Sequence, residues 1–265
     1  PFWLKYFGHS SFQPTCSVSY PEVGPMARIP AYLLINAQKM TTLFFCLYCM
    51  WRYDNWSTTA WVYTALHGSY GYCWMIKESA FPNKALRDTL PIPLAIVVGM
   101  LLFLPGYWNI CVLALSNKEE ASGGLLFAAI FAYVIGIVCM MISDCQTHFC
   151  LKYNPGHLIA EGMTRYVRHP NYGGEVLLYT SFCLLARHWA AWLILLWGYA
   201  GAMLPNNLKK EASLSRYPAW KAYKKQTFMY VPNLFAAASG AELSKELLSQ
   251  GKRSEEQADT SLLGA

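Results

Sequence analysis

The chain is 265 residues long, 55% hydrophobic and 15% aromatic, with only 14% charged residues and a net charge of +6. A soluble domain carries about a quarter charged residues, so the composition points to a membrane protein. Without a long basic run or a recognised nucleic-acid module, the positive charge argues against nucleic acid as a partner; basic flanks beside membrane segments account for it, with an anionic cofactor as a second contributor.

Residues 1–28 are aromatic and turn-rich, broken by Pro14, Pro21, Gly24 and Pro25, with Glu22 just ahead of the first apolar run. Ile29 to Trp51 reads as a first membrane helix whose Asn36, Gln38 and Lys39 must face protein, water or ligand. A second span between Arg52 and Lys77 is rich in Trp, Tyr, Ser and Thr, which suits a helix inside a bundle or lining a cavity. His67 within it reads as a core histidine, and Trp51, Trp56 and Trp61 as interfacial belts. The third span runs from Ile92 to Leu115 and is kinked at Pro105-Gly106. A polar turn with Glu119 and Glu120 precedes the fourth, Leu125 to Ile142, which delivers Asp144 at its end. Glu175–Leu185 and Trp189–Leu204, interrupted by Arg187-His188, read as a tight hairpin of two short membrane segments.

After Pro205 the chain turns polar, and Ala219–Lys225 has the look of an interfacial amphipathic helix. From Ala236 the sequence is a Ser/Glu/Lys-rich tail with one exposed helix around Ala241–Ser249. The expected fold is therefore all-α: a polytopic membrane helix bundle of about six spans, with five to seven in range, over residues 29–235. The rest of the tail, 236–265, reads either as a loose segment or as one that binds partners in a membrane complex. The nine cysteines are scattered without zinc-site spacing and read as small buried hydrophobes, so no metal is expected.

The chemistry concentrates between Asp144 and Leu178. Asp144, His148, Lys152, Arg165, Arg168, His169 and Glu175 crowd into a short stretch between apolar runs, where charge needs a partner, water or a ligand. Pro170 pushes His169 out of helical conformation and is suited to the first helical position, with Asn171 and Tyr172 in the first turn. Gly173 and Gly174 let backbone or ligand approach closely. A helix start flanked by Arg165, Arg168 and His169 suits an anion. Plainer readings stand beside each: His169 as a loop cap, the arginines as a membrane flank, Glu175 as an ion-pair partner, Asp144 as a helix-end residue and Glu22 as a solvated loop acid.

Ser143-Asp144, Leu158-Ile159-x-x-Gly162, Arg168-His169-Pro170-Asn171-Tyr172-x-Gly174-Glu175 and Tyr217-Pro218-x-Trp220-x-x-Tyr223 with Pro232 together resemble the steroid 5-alpha-reductase family. The wider superfamily includes sterol reductases, isoprenylcysteine methyltransferases and phospholipid methyltransferases. The resemblance implies an integral membrane enzyme, in the endoplasmic reticulum or mitochondrial inner membrane, that uses NADPH to reduce a lipophilic, steroid- or lipid-like enone. It implies that Asn171 and Glu175 hold the nicotinamide carboxamide near Asp144. Arg165, Arg168, Lys152 and His148 would meet the phosphates, His169 and Tyr172 would line the same site, and Tyr217 would cap the adenosine side.

The family's carbonyl-polarising pair corresponds to Glu22 and a tyrosine in the second span. That second position falls on Gly68, with Tyr70 and Tyr72 nearby; Tyr70 is taken as its counterpart. Two other readings follow from the same motifs. One is an S-adenosylmethionine-dependent lipid or prenylcysteine methyltransferase, whose paired glutamates are poorly matched by Lys210-Glu211. The other is an inactive family member serving as an accessory subunit of a membrane complex.

Overall fold

In the computed structural model, residues 27–101 and 106–233 are described; Glu22, Pro105 and the tail helix expected at Ala241–Ser249 lie outside them. The chain divides into two compact units, Pro1–Ile130 with Thr180–Asn206, and Phe131–Tyr179 with Asn207–Ala265.

The first unit begins with an element the sequence reading did not anticipate. Strand β1 (Arg28–Pro30) pairs antiparallel with β2 (Thr89–Pro91) in a short ribbon. Pro30 holds Ile29 extended, so the first helix starts after the proline. Arg28 closes the ribbon by donating to the Thr89 hydroxyl at 3.0 Å and carbonyl at 2.7 Å. Helix α1 (Ala31–Arg52) follows, then α2 (Thr58–Ala80), capped by the Ser57 hydroxyl, which accepts from Ala60 N. Glu120 satisfies the start of α2 from outside, accepting from the Thr58 and Thr59 amides at 2.9 and 3.2 Å, where a carboxylate also suits the helix dipole.

Helices α1 and α2 pack through small residues, as expected of membrane helices. A Cβ on Gly68 would lie 2.6 Å from Leu43 Cδ1, and one on Gly71 would collide with the Lys39 carbonyl. A larger residue at position 68 would require the Leu43 side chain to shift, whereas one at position 71 would meet backbone. The polar residues of α1 do face protein: Gln38 and Lys39 are buried, and Asn36 accepts from the Trp74 indole at 3.0 Å.

The third apolar run forms α3 (Ile92–Leu101) and α4 (Trp108–Ser116). Phe45 of α1 stacks on Trp108 of α4 at 4.3 Å. Helix α5 (Gly123–Tyr153) is 31 residues long, three turns beyond the expected end at Ile142. Helix α6 (Pro170–Ala186) begins at Pro170, as its sequence demands. It ends at Arg187, held at φ 49°, whose guanidinium bonds the Glu119 and Glu120 carbonyls. His188 then caps α7 (Trp189–Gly198), its Nδ1 accepting from Ala190 N at 3.1 Å.

The last apolar segment was expected to stop before Pro205. Instead a π turn (Tyr199–Met203) leads into α8 (Leu204–Leu214). Proline lacks an N–H and crowds the carbonyl four residues earlier; widening the helix by a residue is a recognised way to relieve both.

Helix α9 (Trp220–Gln226) differs from the interfacial reading. Trp220 and Tyr223 are buried against Leu158, Ala160, Ala219 and Ala222, and the Tyr223 hydroxyl donates to the Thr164 carbonyl at 2.7 Å. The second unit's own chain, rather than lipid, covers its apolar face.

Among the described residues, two helices are long and apolar enough to cross a membrane, Ala31–Arg52 and Gly123–Tyr153. Only 22% of the apolar window of the second is buried within the structure, and it exposes Phe127, Phe131, Val134, Val138 and Ile142. An apolar helix so little covered by its own chain fits a lipid surroundings better than a soluble core. Trp51, Trp56 and Trp61 are likewise exposed.

Candidate functional site

The candidate site is built within the second unit, where segment 166–169 runs beside 228–233. Arg168 N donates to Phe228 O at 2.9 Å, His169 N to Met229 O at 3.0 Å, and Asn233 N to Tyr166 O at 2.9 Å. These bonds fix the approach to α6. The Gly173 amide returns to His169 O at 3.1 Å, so Asn171 and Tyr172 supply the amides that a helix start leaves over.

The glycines are occupied by backbone. A Cβ on Gly173 would lie 2.7 Å from Tyr230 O, and one on Gly174 2.5 Å from Gly136 O. A Cβ on Gly136 would in turn meet Gly174 O at 2.6 Å, so α5 and α6 cross with no side chain between them.

Arg168 is buried and committed to its own chain. Its Nε donates to Glu211 Oε1 at 2.5 Å, and its Nη1 reaches the Thr227 carbonyl and, at 3.3 Å, that of Lys224. Lys224 Nζ lies 3.4 Å from the other Glu211 oxygen. Burial works against the Glu211 carboxylate, but the Arg168 guanidinium and Lys224 ammonium hold its pKa below the usual range. Phosphate contact was implied for Arg168; here its guanidinium ties α6's approach to α8 and the segment after α9.

His169 Nε2 lies 3.4 Å from Glu211 Oε1 without the alignment of a hydrogen bond, and it has no other partner among the described residues. Burial, then Lys210 and Arg168, push the His169 pKa down to about 4 against the pull of Glu211. The ring is therefore neutral at pH 7, and the contact is not an ion pair.

A histidine depressed in this way favours folding fully above its unfolded pKa near 6.5, and that contribution disappears as pH falls toward 4. Stability should drop by about 2–3 kcal/mol across that window. His169→Gln should remove the drop, as read from thermal unfolding in detergent at pH 7.5, 6, 5 and 4.

Around this pair the remaining polar groups collect. Asn207 of α8 is fully buried; its Nδ2 donates to the Tyr230 hydroxyl at 2.8 Å, while its Oδ1 has no partner among the described residues. The Lys210 ammonium sits 4.5 Å from the centre of the Tyr172 ring, and His169 and Tyr172 meet edge-on at 6.2 Å. The carboxylates of Glu175 and Asp144 and the hydroxyl of Tyr230 all act electrostatically on the Tyr172 phenol. Asp144, Glu175, Tyr172 and His169 are thus one neighbourhood. Asn171 is half-buried.

Lys152 and Arg165 are exposed, their cations over the Tyr153 and Tyr166 rings respectively. Gln146 ties α5 to the segment that precedes Arg165, donating to Glu161 O at 2.7 Å and accepting from Met163 N at 2.9 Å. His148 packs edge-on against Phe149. Tyr217 accepts from Arg216 and packs on the Trp220 cluster.

Sequence reasoning passed over Asn207 and Glu211. Both sit on one face of α8, four residues apart, and both are buried among Leu208, Lys209 and Lys210, which are exposed. That spacing was the available signal.

The implied catalytic pair is not assembled among the described residues. Glu22 lies outside them. Tyr70 is fully buried in the first unit, where the Lys39 ammonium sits 4.2 Å from the centre of its ring and 3.9 Å from that of Tyr107.

The class these features define is a helical protein with membrane-spanning character and a buried polar cluster at a proline-started helix. The chain belongs to the DUF1295 family of proteins of unknown function, whose model matches residues 94–227, half of the chain; the family is steroid 5-alpha-reductase-like. It is also similar to an uncharacterized protein of Schizosaccharomyces pombe, 24% identical over 103 residues. That similarity spans 38% of this chain and 37% of the yeast protein.

Proposed function

We propose that this chain crosses the bilayer about six times, through α1, α2, α3 with α4, α5, α6 and α7, and binds NADPH at the cluster around Tyr172 and Glu175 to reduce a lipophilic enone. The observation that carries the reading is the pair of buried, unsatisfied polar atoms, Asn207 Oδ1 and His169 Nε2, in the cluster where the Lys210 ammonium meets the Tyr172 ring. Unsatisfied buried polar groups are rare and need an explanation, and a polar ligand supplies one.

The donor set fits the cofactor in parts. Lys152, Arg165, Lys209 and Lys210 are exposed cations suited to phosphates, while Asn171 and Glu175 offer a donor, acceptors and a carboxylate to a carboxamide. Arg168 and Glu211 take a positioning role, since they fix the segment that carries His169. NADPH would supply a hydride to the β carbon of the enone, with a proton completing the reduction at the α carbon. The chain's part is to orient the cofactor, exclude water and deliver the substrate laterally from lipid.

One observation favours the accessory-subunit reading: position 68, where the family's catalytic tyrosine is expected, is a glycine packed against Leu43. A test separates the two. NADPH should raise the unfolding temperature of the detergent-purified chain, and Asn171→Ala and Glu175→Ala should each abolish the rise. Stabilisation by S-adenosylmethionine instead would replace the reductase with a methyltransferase. Stabilisation by neither would leave the accessory role.

A further inference from the structure

Away from that cluster, in the first unit, α1, α2 and α4 bring Cys46, His67 and Cys111 together. Their ligand atoms all lie within 4.8 Å of one another, and all three residues are fully buried. Cys111 Sγ is 3.3 Å from His67 Nδ1, and the Tyr63 hydroxyl lies 2.8 Å from the same nitrogen. With Tyr63 donating, its hydroxyl occupies the single lone pair of Nδ1 and the ring proton sits on Nε2, which has no partner among the described residues; a metal ion beside the sulfurs would take over that lone pair and turn the Tyr63 hydroxyl aside. The imidazole is clamped by Phe182, stacked at 4.1 Å, and by the Tyr107 ring at 4.5 Å. Two thiols and an imidazole from three helices thus converge in an apolar interior that gives them little reason to be polar. The wide sequence spacing hid the set.

We propose that Cys46, His67 and Cys111 bind one thiophilic d10 cation, zinc(II) or copper(I). Two thiolates and an imidazole are the soft donors such ions select, whereas magnesium and calcium need oxygen ligands that this site lacks. Binding forms two metal–sulfur bonds and one metal–nitrogen bond and releases the two thiol protons. Charge then balances: two thiolates cancel zinc(II). With copper(I) one negative charge remains, and the Lys39 ammonium, 3.9 Å from the centre of the Tyr107 ring that packs on His67, offsets it. The bound ion would cross-link α1, α2 and α4.

The test uses the full chain, purified in detergent without oxygen, incubated with zinc(II) or copper(I), desalted and assayed by elemental mass spectrometry. About one equivalent of one of the two metals should be retained, falling at least about tenfold in both Cys46→Ser and Cys111→Ser but not in Cys150→Ser. Cobalt(II) added to the wild-type chain should give a thiolate-to-cobalt charge-transfer band, a readout that needs no variant to fold. The proposal is overturned if the wild-type chain retains neither metal and shows no cobalt band. It is equally overturned if both serine variants keep the metal, or if the chain isolated from its membrane carries a Cys46–Cys111 disulfide and takes up no metal after reduction.

Discussion

Replacing Arg168 with Met should lower the unfolding free energy by about 3 kcal/mol, because it leaves the buried Glu211 carboxylate without its closest cation. The Thr227 carbonyl loses its guanidinium donor in the same step. Lys224 reaches Glu211 at 3.4 Å from a half-exposed position and recovers only part of the loss, since solvent screens it. Breaking one partner of a buried pair is far more damaging than removing both. The double variant Arg168→Met with Glu211→Leu should therefore regain most of the stability, and the cycle should return a coupling of about 2 kcal/mol. Thermal and denaturant unfolding in detergent measure it. A single-variant loss under about 1 kcal/mol would mean that the pair is solvated.

Gly174→Ala should cost about 2–3 kcal/mol, because its new Cβ meets Gly136 O at 2.5 Å and Met140 N at 2.8 Å, both backbone atoms that cannot turn aside. Gly136→Ala should cost a similar amount from the opposite helix, where Gly174 O stands at 2.6 Å. Gly198→Ala is the control: nothing lies within 4 Å of its Cβ, and alanine in a helix should be neutral or stabilising by about 0.5–1 kcal/mol. Equal losses at all three would show that helix propensity rather than the close crossing governs. The same crossing bears on function, because a shift of α6 moves Tyr172 and Glu175 together.

Much of this architecture is legible in the sequence, and where it is not the causes are local. The start of α6 followed from Pro170 alone, and the inward-facing polar residues of α1 followed from the cost of placing them in lipid. The length of α5 did not follow, because Asp144, Gln146, Thr147 and His148 dilute its apolar signal; the helix nevertheless runs on to Tyr153, with Gln146 bonded to 161–163. Trp220 and Tyr223 were given to the interface because aromatics among lysines look alike in sequence whether lipid or protein covers them.

Glu211 was hidden by comparison with a paired-glutamate motif, whereas its four-residue spacing from Asn207 would have marked a buried polar face. The Cys46, His67 and Cys111 set needed three helices to be packed before it could be seen at all. The glycines at 173 and 174 were rightly read as places of close approach, and the approaching group is backbone.

The most direct test is equilibrium binding of NADPH to the full chain in lipid nanodiscs, read by nucleotide fluorescence, with NADH and S-adenosylmethionine as competitors. Saturable binding of about one NADPH per chain, lost in Glu175→Ala and weakened by salt and by Lys210→Glu, is the expected result. No saturable NADPH binding by a folded wild-type chain, or binding that survives Glu175→Ala and Asn171→Ala unchanged, would contradict it.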